Sequence, residues 1–136
     1  PKVRARCWEA LSDASERAEI RAAMLSVAGN PQAPIEERGG AAVGLSFETA
    51  EPKVAACIRE LYENPAARAK ALEAMWRSTD RQFANYMPRH LDDSDPAVKR
   101  QAILGAGYFN FASEAGKLKQ LLNDDDFRDE ALFAYA

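Results

Sequence analysis

The sequence has very little of what catalysis and metal binding usually require. It contains one histidine and two cysteines in 136 residues. No pattern of neighbouring residues pairs His90 with a nucleophile, so we expect it to be an inert surface side chain. The segment Gly39-Gly40-x-x-x-Gly44 lacks the strand and the further glycines of a phosphate-binding loop. We therefore predict no catalytic residue, no cofactor and no metal site, and we expect the protein not to be an enzyme.

The two cysteines, Cys7 and Cys57, have no metal-type spacing, and each falls on the apolar face of a predicted helix. Cysteine in such a position behaves as a small hydrophobic residue, so both are expected to be buried free thiols. Reduced cysteines are typical of a cytoplasmic protein. No apolar run approaches the ~20 residues of a membrane span, and no secretory signal opens the chain, so no membrane association is expected.

The sequence also has no excess of positive charge, because 21 acidic residues outnumber 18 basic ones and the net charge is −3. Affinity for duplex DNA depends on many Lys and Arg side chains that neutralise phosphates, so nucleic acid is not the expected partner. The rest of the composition, 47% hydrophobic and 29% charged, is that of a globular domain long enough to bury a core.

What the sequence does have is an internal repeat. Its template has an apolar or small residue at position 0, a basic residue at +1, small residues at +4 and +7, an apolar or small residue at +5, and an apolar residue at +8. Position 0 falls at Val3, Glu37, Ala67, Val98 and Phe127, and the glutamate violates the rule. The basic residue recurs at Arg4, Arg38, Arg68, Lys99 and Arg128, at intervals of 29 to 34 residues. Offsets 0, 4, 7 and 8 share one helical face, so each copy predicts an amphipathic helix.

Another amphipathic helix is predicted between successive copies, over residues 15–28, 52–63, 80–92 and 115–123. Apolar residues recur in each at helical spacing, and no run alternates as a strand would. Pro88 is expected to kink or split the third of these helices. No single pair of helices could bury its apolar stripe alone, so the pairs must stack. The sequence therefore predicts an all-α fold, an α-solenoid of about four to five stacked helical hairpins.

The segment from Asp95 to Ala106, DPAVKRQAILGA, resembles the second helix of a HEAT repeat, and is most similar to the short repeats of phycobilisome lyases. The resemblance covers residues 1–136 as a single HEAT-like repeat domain and is weakest over 29–50. In that family the acidic residue of the turn and the basic residue at +1 form a ladder between neighbouring repeats. This implies pairing of Asp95 with Lys99, and of Asp125 or Asp126 with Arg128. The metal-binding enzymes of HEAT-like fold carry repeated His-Glu pairs, which this chain lacks.

The second copy of the repeat is irregular, because Gly39 and Gly40 fall inside its helix. Each glycine in a helix costs roughly 1 kcal/mol relative to alanine. We interpret the pair as permitting close approach by a neighbouring helix. The chain also begins on the second helix of a hairpin, whereas terminal repeats normally carry a polar cap. We therefore expect the array to be part of a longer one.

A candidate binding surface follows from the helical phase. In HEAT-like arrays the second helices line the concave side, and the face opposite the template's core comprises +2, +6, +9 and +13. Here that face is an apolar strip with a charged border, which suits a protein or peptide partner. Trp76 is the expected anchor, because tryptophan is enriched at hot spots. The predicted partner-binding residues are Val43, Glu73, Trp76, Arg100, Leu104, Phe111 and Phe133.

Alternatives to this interpretation remain open. Trp76 and Phe111 would instead pack onto adjacent repeats, and Phe133 onto a further C-terminal element. At the level of function, the leading hypothesis is a scaffold for protein–protein interaction. The family resemblance alone also implies an accessory lyase or chaperone-like subunit for a cofactor-carrying protein. The recurrent basic residues suggest HEAT-like nucleic-acid binding, although position +1 lies at the edge of the core and we assign these side chains to structure.

Overall fold

The computed structural model describes residues 1–136, and every regular element is helical. Short 3₁₀ turns cover Ser12–Ala14, Ser46–Glu48, Arg81–Tyr86, Pro88–His90 and Ala112–Glu114. The predicted all-α class is confirmed. The eight α-helices are α1 (Lys2–Ala10), α2 (Ala18–Ala28), α3 (Ile35–Gly44), α4 (Pro52–Glu63), α5 (Arg68–Arg77), α6 (Pro96–Tyr108), α7 (Ala115–Leu121) and α8 (Arg128–Tyr135).

Proline sets the boundaries of two elements, as the sequence predicts. At the start of α6, Asp95 accepts hydrogen bonds from the backbone N–H groups of Ala97 (2.8 Å) and Val98 (3.4 Å). Pro96 follows in the first turn, where its missing N–H costs nothing. The predicted helix over 80–92 is split before Pro88 into two 3₁₀ turns, because proline cannot donate the helical hydrogen bond.

The helices pack in an order that follows the repeat. Helices α1, α3, α5, α6 and α8 form a row in which each contacts the next, and α2, α4 and α7 each pack against the helix that follows them. Side-chain contacts join residues 30 to 33 positions apart, close to one period of the template. Equivalent positions of successive copies therefore lie side by side. These contacts are Arg4–Glu37, Ser15–Glu48, Thr49–Asp80 and Arg100–Glu130.

Helix α3 is buried over eight consecutive residues, from Glu37 to Gly44, so almost no face of it reaches solvent. The two glycines explain how this happens. A methyl group at Gly40 would lie 2.5 Å from the carbonyl oxygen of Ala5 on α1, and one at Gly39 would lie 2.9 Å from Cβ of Lys70 on α5. The interpretation that these glycines permit close approach is confirmed.

The recurrent basic residues at +1 act mainly within the fold. The Nε–H groups of Arg38, Arg68 and Arg128 donate to carbonyls at the ends of the preceding helices, on Ala28 (2.9 Å), Tyr62 (3.0 Å) and Leu122 (3.1 Å) respectively. The last carbonyls of a helix lack intrahelical partners, and a cation there also opposes the helix dipole. The expected assignment of these side chains to structure agrees with this placement.

One of the two implied acidic partners is in contact with its basic residue. Arg128 contacts Asp125, but this pair lies within one turn and does not join neighbouring repeats. The predicted pair of Asp95 and Lys99 is wrong, because the Asp95 carboxylate caps α6 instead. The Lys99 ammonium lies 4.4 Å from the centre of the Phe127 ring, at cation–π distance.

The two cysteines have different environments. Cys57 is buried as predicted, and its burial raises the pKa of the thiol. The prediction for Cys7 is wrong, because α1 packs mainly against α3 and the Cys7 side of the helix is left exposed.

Candidate functional site

The predicted anchor, Trp76, lies near the C-terminal end of α5 and is half-buried. Its indole Nε1–H donates a hydrogen bond to Oε1 of Gln101 on α6, at 2.8 Å. Its ring stacks on Tyr108, with centroids 4.7 Å apart and planes 26° from parallel. Trp76 therefore packs onto the neighbouring copy of the repeat, as the alternative interpretation expects, while part of its ring still faces solvent.

Three further aromatic residues extend the surface around Trp76. The Phe133 ring on α8 lies 5.6 Å from the Tyr108 ring. Phe47 follows the end of α3 and lines a cavity together with Trp76 and Tyr108. Phe47, Tyr108 and Phe133 are 56%, 49% and 54% exposed. We call Phe47, Trp76, Tyr108 and Phe133 the aromatic strip.

The aromatic strip borders an open cavity of about 430 Å³. Its walls are Phe47, Trp76 and Tyr108, with Arg77 and Thr79 as the polar members. Three rings with one cation at the edge suit an apolar side chain whose neighbouring backbone offers hydrogen-bond acceptors. Thr79 has a φ of 55°, which turns the chain sharply after α5 and forms this edge of the cavity.

Predicted Glu73 lies one turn before Trp76 and is engaged in ion pairs within the protein. Its carboxylate contacts Lys70 Nζ at 2.7 Å and Arg77 at 3.5 Å. Lys70 also reaches Glu9 on α1 at 2.8 Å, so α1 and α5 meet across α3. Burial opposes the charge on Lys70, but hydrogen bonds to Glu73 and Glu9 outweigh it and raise the pKa of the ammonium.

The predicted residues of α6 border the aromatic strip. Arg100 Nε donates to Glu130 on α8 at 2.6 Å, and its guanidinium lies 5.6 Å from the Phe127 ring centre. Leu104 is half-buried, one helical turn before Tyr108. The surface thus has an apolar centre with ion-paired residues along its side, the general arrangement of a protein interface.

Two predicted residues do not belong to this surface. Val43 is completely buried, so its prediction is wrong: α1 and α5 close over α3, and no partner can reach the side chain. Phe111 is misplaced because α6 ends at Tyr108 and the chain turns at Asn110, whose φ is 53°. Phe111 lines a separate cavity with Leu118 and Tyr135 and packs against the core.

Sequence reasoning missed Phe47 and Tyr108, although a signal for them exists. Both occupy template position +10, one helical turn after position +6, where Leu104 and Phe133 lie. Residues four apart share a helical face, so +10 could have been included with +6.

The expectation for His90 is also corrected, because its side chain is only 12% exposed. The Tyr62 hydroxyl lies 2.7 Å from Nε2, and Asp93 Oδ2 lies 2.8 Å from Nδ1. Hydrogen bonds from the Asp95 N–H and from His90 lower the pKa of Asp93. Neither ring lines any of the cavities, so this chain of hydrogen bonds ties α4 to the turn before α6.

No group of three or more His, Cys, Asp or Glu side chains is placed to hold a metal ion. The longest helix, α6, has 13 residues, and no helix has the length and apolarity needed to cross a membrane.

Comparison with known proteins does not assign a family. No family model, no curated protein sequence and no solved structure matches the chain.

Proposed function

We propose that this protein is a HEAT-like α-solenoid that acts as a protein-interaction scaffold and binds an extended segment of a partner along the aromatic strip. The observation that carries the proposal is the strip itself. Three of its four rings are about half exposed, although aromatic side chains of this size are normally buried when they serve packing alone.

The solenoid arrangement is supported by which helices are neighbours in space. Helices α1, α3, α5, α6 and α8 succeed one another in space as they do in sequence. Contacts such as Arg4–Glu37 and Thr49–Asp80 repeat with the template's period. Stacking of equivalent helices with one period between contacting residues is the defining relation of a repeat array.

The aromatic strip can supply useful binding free energy. A half-exposed ring offers roughly 100 Å² to a partner. Covering that area is worth about 2.5 kcal/mol per ring before the cost of ordering the partner is subtracted. Three such rings supply roughly 7 to 8 kcal/mol before that cost, so they support weak binding of a short segment. The stacking of Tyr108 on Trp76 and its contact with Phe133 pre-organise part of the surface.

The charged residues support a protein partner over a nucleic acid. The recurrent basic side chains are engaged with carbonyls, carboxylates or an aromatic ring of the protein itself. Few of them remain available to neutralise phosphates, and nucleic-acid affinity depends on such neutralisation.

A peptide-display experiment tests the proposal. A phage library of random 16-residue peptides (a length of about 50 Å when extended) is selected on the wild-type protein. Selected peptides are then measured against Tyr108→Ser and Phe133→Ser, which are chosen because both side chains are about half exposed and tolerate replacement. We expect each variant to weaken binding by about tenfold.

Lys53→Ala on α4 is the matched control, because Lys53 is exposed and does not line the cavity beside the aromatic strip. Its affinity for the selected peptides should equal that of the wild type. Circular dichroism establishes that all three variants are folded. Peptides that bind the two aromatic variants as tightly as the wild type would overturn the proposal.

A further inference from the structure

Arg77 is the only charged residue that lines the cavity beside the aromatic strip. The aromatic walls of this cavity belong to interior helices of the row: Phe47 follows α3, Trp76 lies on α5 and Tyr108 ends α6. An apolar cavity with one cation in its wall has a positive potential, which favours a ligand that carries a negative charge.

The guanidinium of Arg77 is poorly paired within the protein. Its carboxylate contact is to Glu73, with Nη1 lying 3.5 Å from Oε1, and no hydrogen bond joins the guanidinium to another residue. The same carboxylate is held more closely by Lys70, whose Nζ lies 2.7 Å from Oε2. The N–H donors of Arg77 are therefore available to a partner.

Arginines elsewhere in the row use their donors within the protein. Arg38 donates to the Ala28 carbonyl at 2.9 Å, and Arg100 donates to Glu130 at 2.6 Å. The side chain of Arg77 is only 35% exposed, so most of it has left water without gaining a hydrogen bond. Water screens such a cation less than a fully hydrated one, so an incoming carboxylate is attracted to it more strongly.

The acidic residues that flank the cavity in the sequence are engaged elsewhere. Asp80 accepts hydrogen bonds from the Gln82 N–H at 3.0 Å and from the Thr49 hydroxyl at 3.1 Å. Glu48, which follows α3, accepts one from the Ser15 hydroxyl at 2.9 Å. No carboxylate of the protein lines the cavity, so the anion that completes it has to come from the partner.

The walls also determine where that anion lies relative to the apolar anchor of the partner. Trp76 and Tyr108 stack with their centroids 4.7 Å apart, so no side chain enters between them and an anchor contacts their exposed parts in the cavity they share with Phe47. In an extended segment, side chains two residues apart point to the same side and lie about 7 Å from each other. An acidic residue two positions from the anchor therefore faces the same cavity wall, where Arg77 lies.

We propose that the partner segment carries an Asp or Glu two residues from the apolar side chain that occupies the cavity, and that its carboxylate pairs with the Arg77 guanidinium. The inference rests on the proposed function, because it specifies the chemistry of the segment that binds the aromatic strip. A guanidinium binds a carboxylate through two parallel N–H···O bonds, which gives the contact direction as well as attraction. A nucleic acid is the less suitable partner, since it needs a row of cations and this cavity has one.

Parallel selections of the random peptide library on wild-type and Arg77→Glu protein test the proposal. Peptides selected on the wild type should be enriched in Asp or Glu two positions from an apolar residue. Those selected on Arg77→Glu should carry Lys or Arg at that position instead.

A charge swap on one peptide selected with the wild type makes the test quantitative. Arg77→Glu should weaken its binding by about tenfold, and so should replacement of the acidic residue of the peptide by lysine. The two reversals together should restore the affinity, which would also establish that the variant is folded. Arg81→Glu is the matched control, because Arg81 is exposed, undergoes the same change of charge and does not line the cavity. Its affinity should equal that of the wild type.

The outcomes separate this inference from the proposed function. Selected peptides that depend on Tyr108 but have no acidic preference, or that bind Arg77→Glu as tightly as the wild type, would overturn the inference alone. A wild-type protein that selects no peptide, or only peptides that bind Tyr108→Ser equally well, would overturn both. Labelled oligothymidylate is measured in parallel. If it binds more tightly than the peptides and Arg77→Glu abolishes that binding, the guanidinium serves a phosphate and the inference is overturned.

Discussion

Val43 on α3 and Phe133 on α8 occupy the same template position, +6, yet the first is completely buried and the second is 54% exposed. Helical phase alone would give both residues the same environment. The difference comes from their neighbours. Around α3 the glycines admit α1 and α5 so closely that a Lys70–Glu9 ion pair spans the helix. Helix α8 packs mainly against α6 and α7, and its Leu132, Phe133 and Tyr135 are about half exposed.

The two regions also differ in their cores. The larger cluster of 22 buried residues extends from α2 through α5 and the following 3₁₀ turn to Val98 on α6, whereas a separate cluster of 8 lies around α6, α7 and α8. A well-packed region loses stability with small changes of volume, whereas an open one tolerates them. The larger cluster is therefore the more tightly packed part of the molecule, and the aromatic strip lies where this part meets α6 and α8.

The largest expected effect comes from breaking the close approach at α3. Gly40→Ala should lower the free energy of unfolding by about 3 kcal/mol, because its methyl group would collide with the backbone of Ala5 and force α1 away. Urea denaturation followed by circular dichroism measures this change.

Gly116→Ala in α7 is the matched control, since no atom lies within 4 Å of the added methyl group. It should leave stability unchanged or raise it by up to about 1 kcal/mol. Equal losses for the two variants would contradict the packing account of α3.

Alanine substitution at position +6 of α3 and of α8 tests the difference in packing between the two helices. Val43→Ala should cost about 2 kcal/mol, from lost apolar burial and the cavity that remains. Phe133→Ala should cost less than about 1 kcal/mol although it removes a larger side chain, because half of the ring is already in water. Chemical denaturation of both variants gives the two values. A larger loss of unfolding free energy for Phe133→Ala than for Val43→Ala would mean that α8 is packed as tightly as α3.

Sequence reasoning predicted the helical class, the boundary at Asp95-Pro96, the split at Pro88 and the role of the paired glycines, because each of these depends on local chemistry. It failed at Val43 and at His90, where the environment depends on how far neighbouring helices move inward. Phe111 was misplaced for a different reason. Nothing local required α6 to end at Tyr108, so extrapolating the helix by three residues put the wrong ring on the surface and left Tyr108 out.

The smallest expected effect concerns the ion pair over α3 and appears only at high pH. The pKa of Lys70 is raised in the folded protein, so its contribution to stability is fully present below the unfolded value of about 10.4 and is lost as the pH rises through the folded value. The unfolding free energy of the wild type should therefore fall more steeply above about pH 10.4 than that of Lys70→Met. Denaturation curves across this range test it, and parallel pH profiles would show that the pair does not hold α1 to α5.

The most direct test of the aromatic strip as the binding surface uses the two tryptophans, because Trp76 belongs to the strip and Trp8 on α1 does not. In Trp8→Phe protein, Trp76 is the sole tryptophan, and in Trp76→Phe protein, Trp8 is. Peptides selected on the wild type are titrated into both proteins while tryptophan emission is recorded. The account predicts that Trp76 emission shifts and saturates on binding while Trp8 emission stays constant. A saturating change at Trp8 with none at Trp76 would place the binding surface on α1, away from the aromatic strip, and contradict the account.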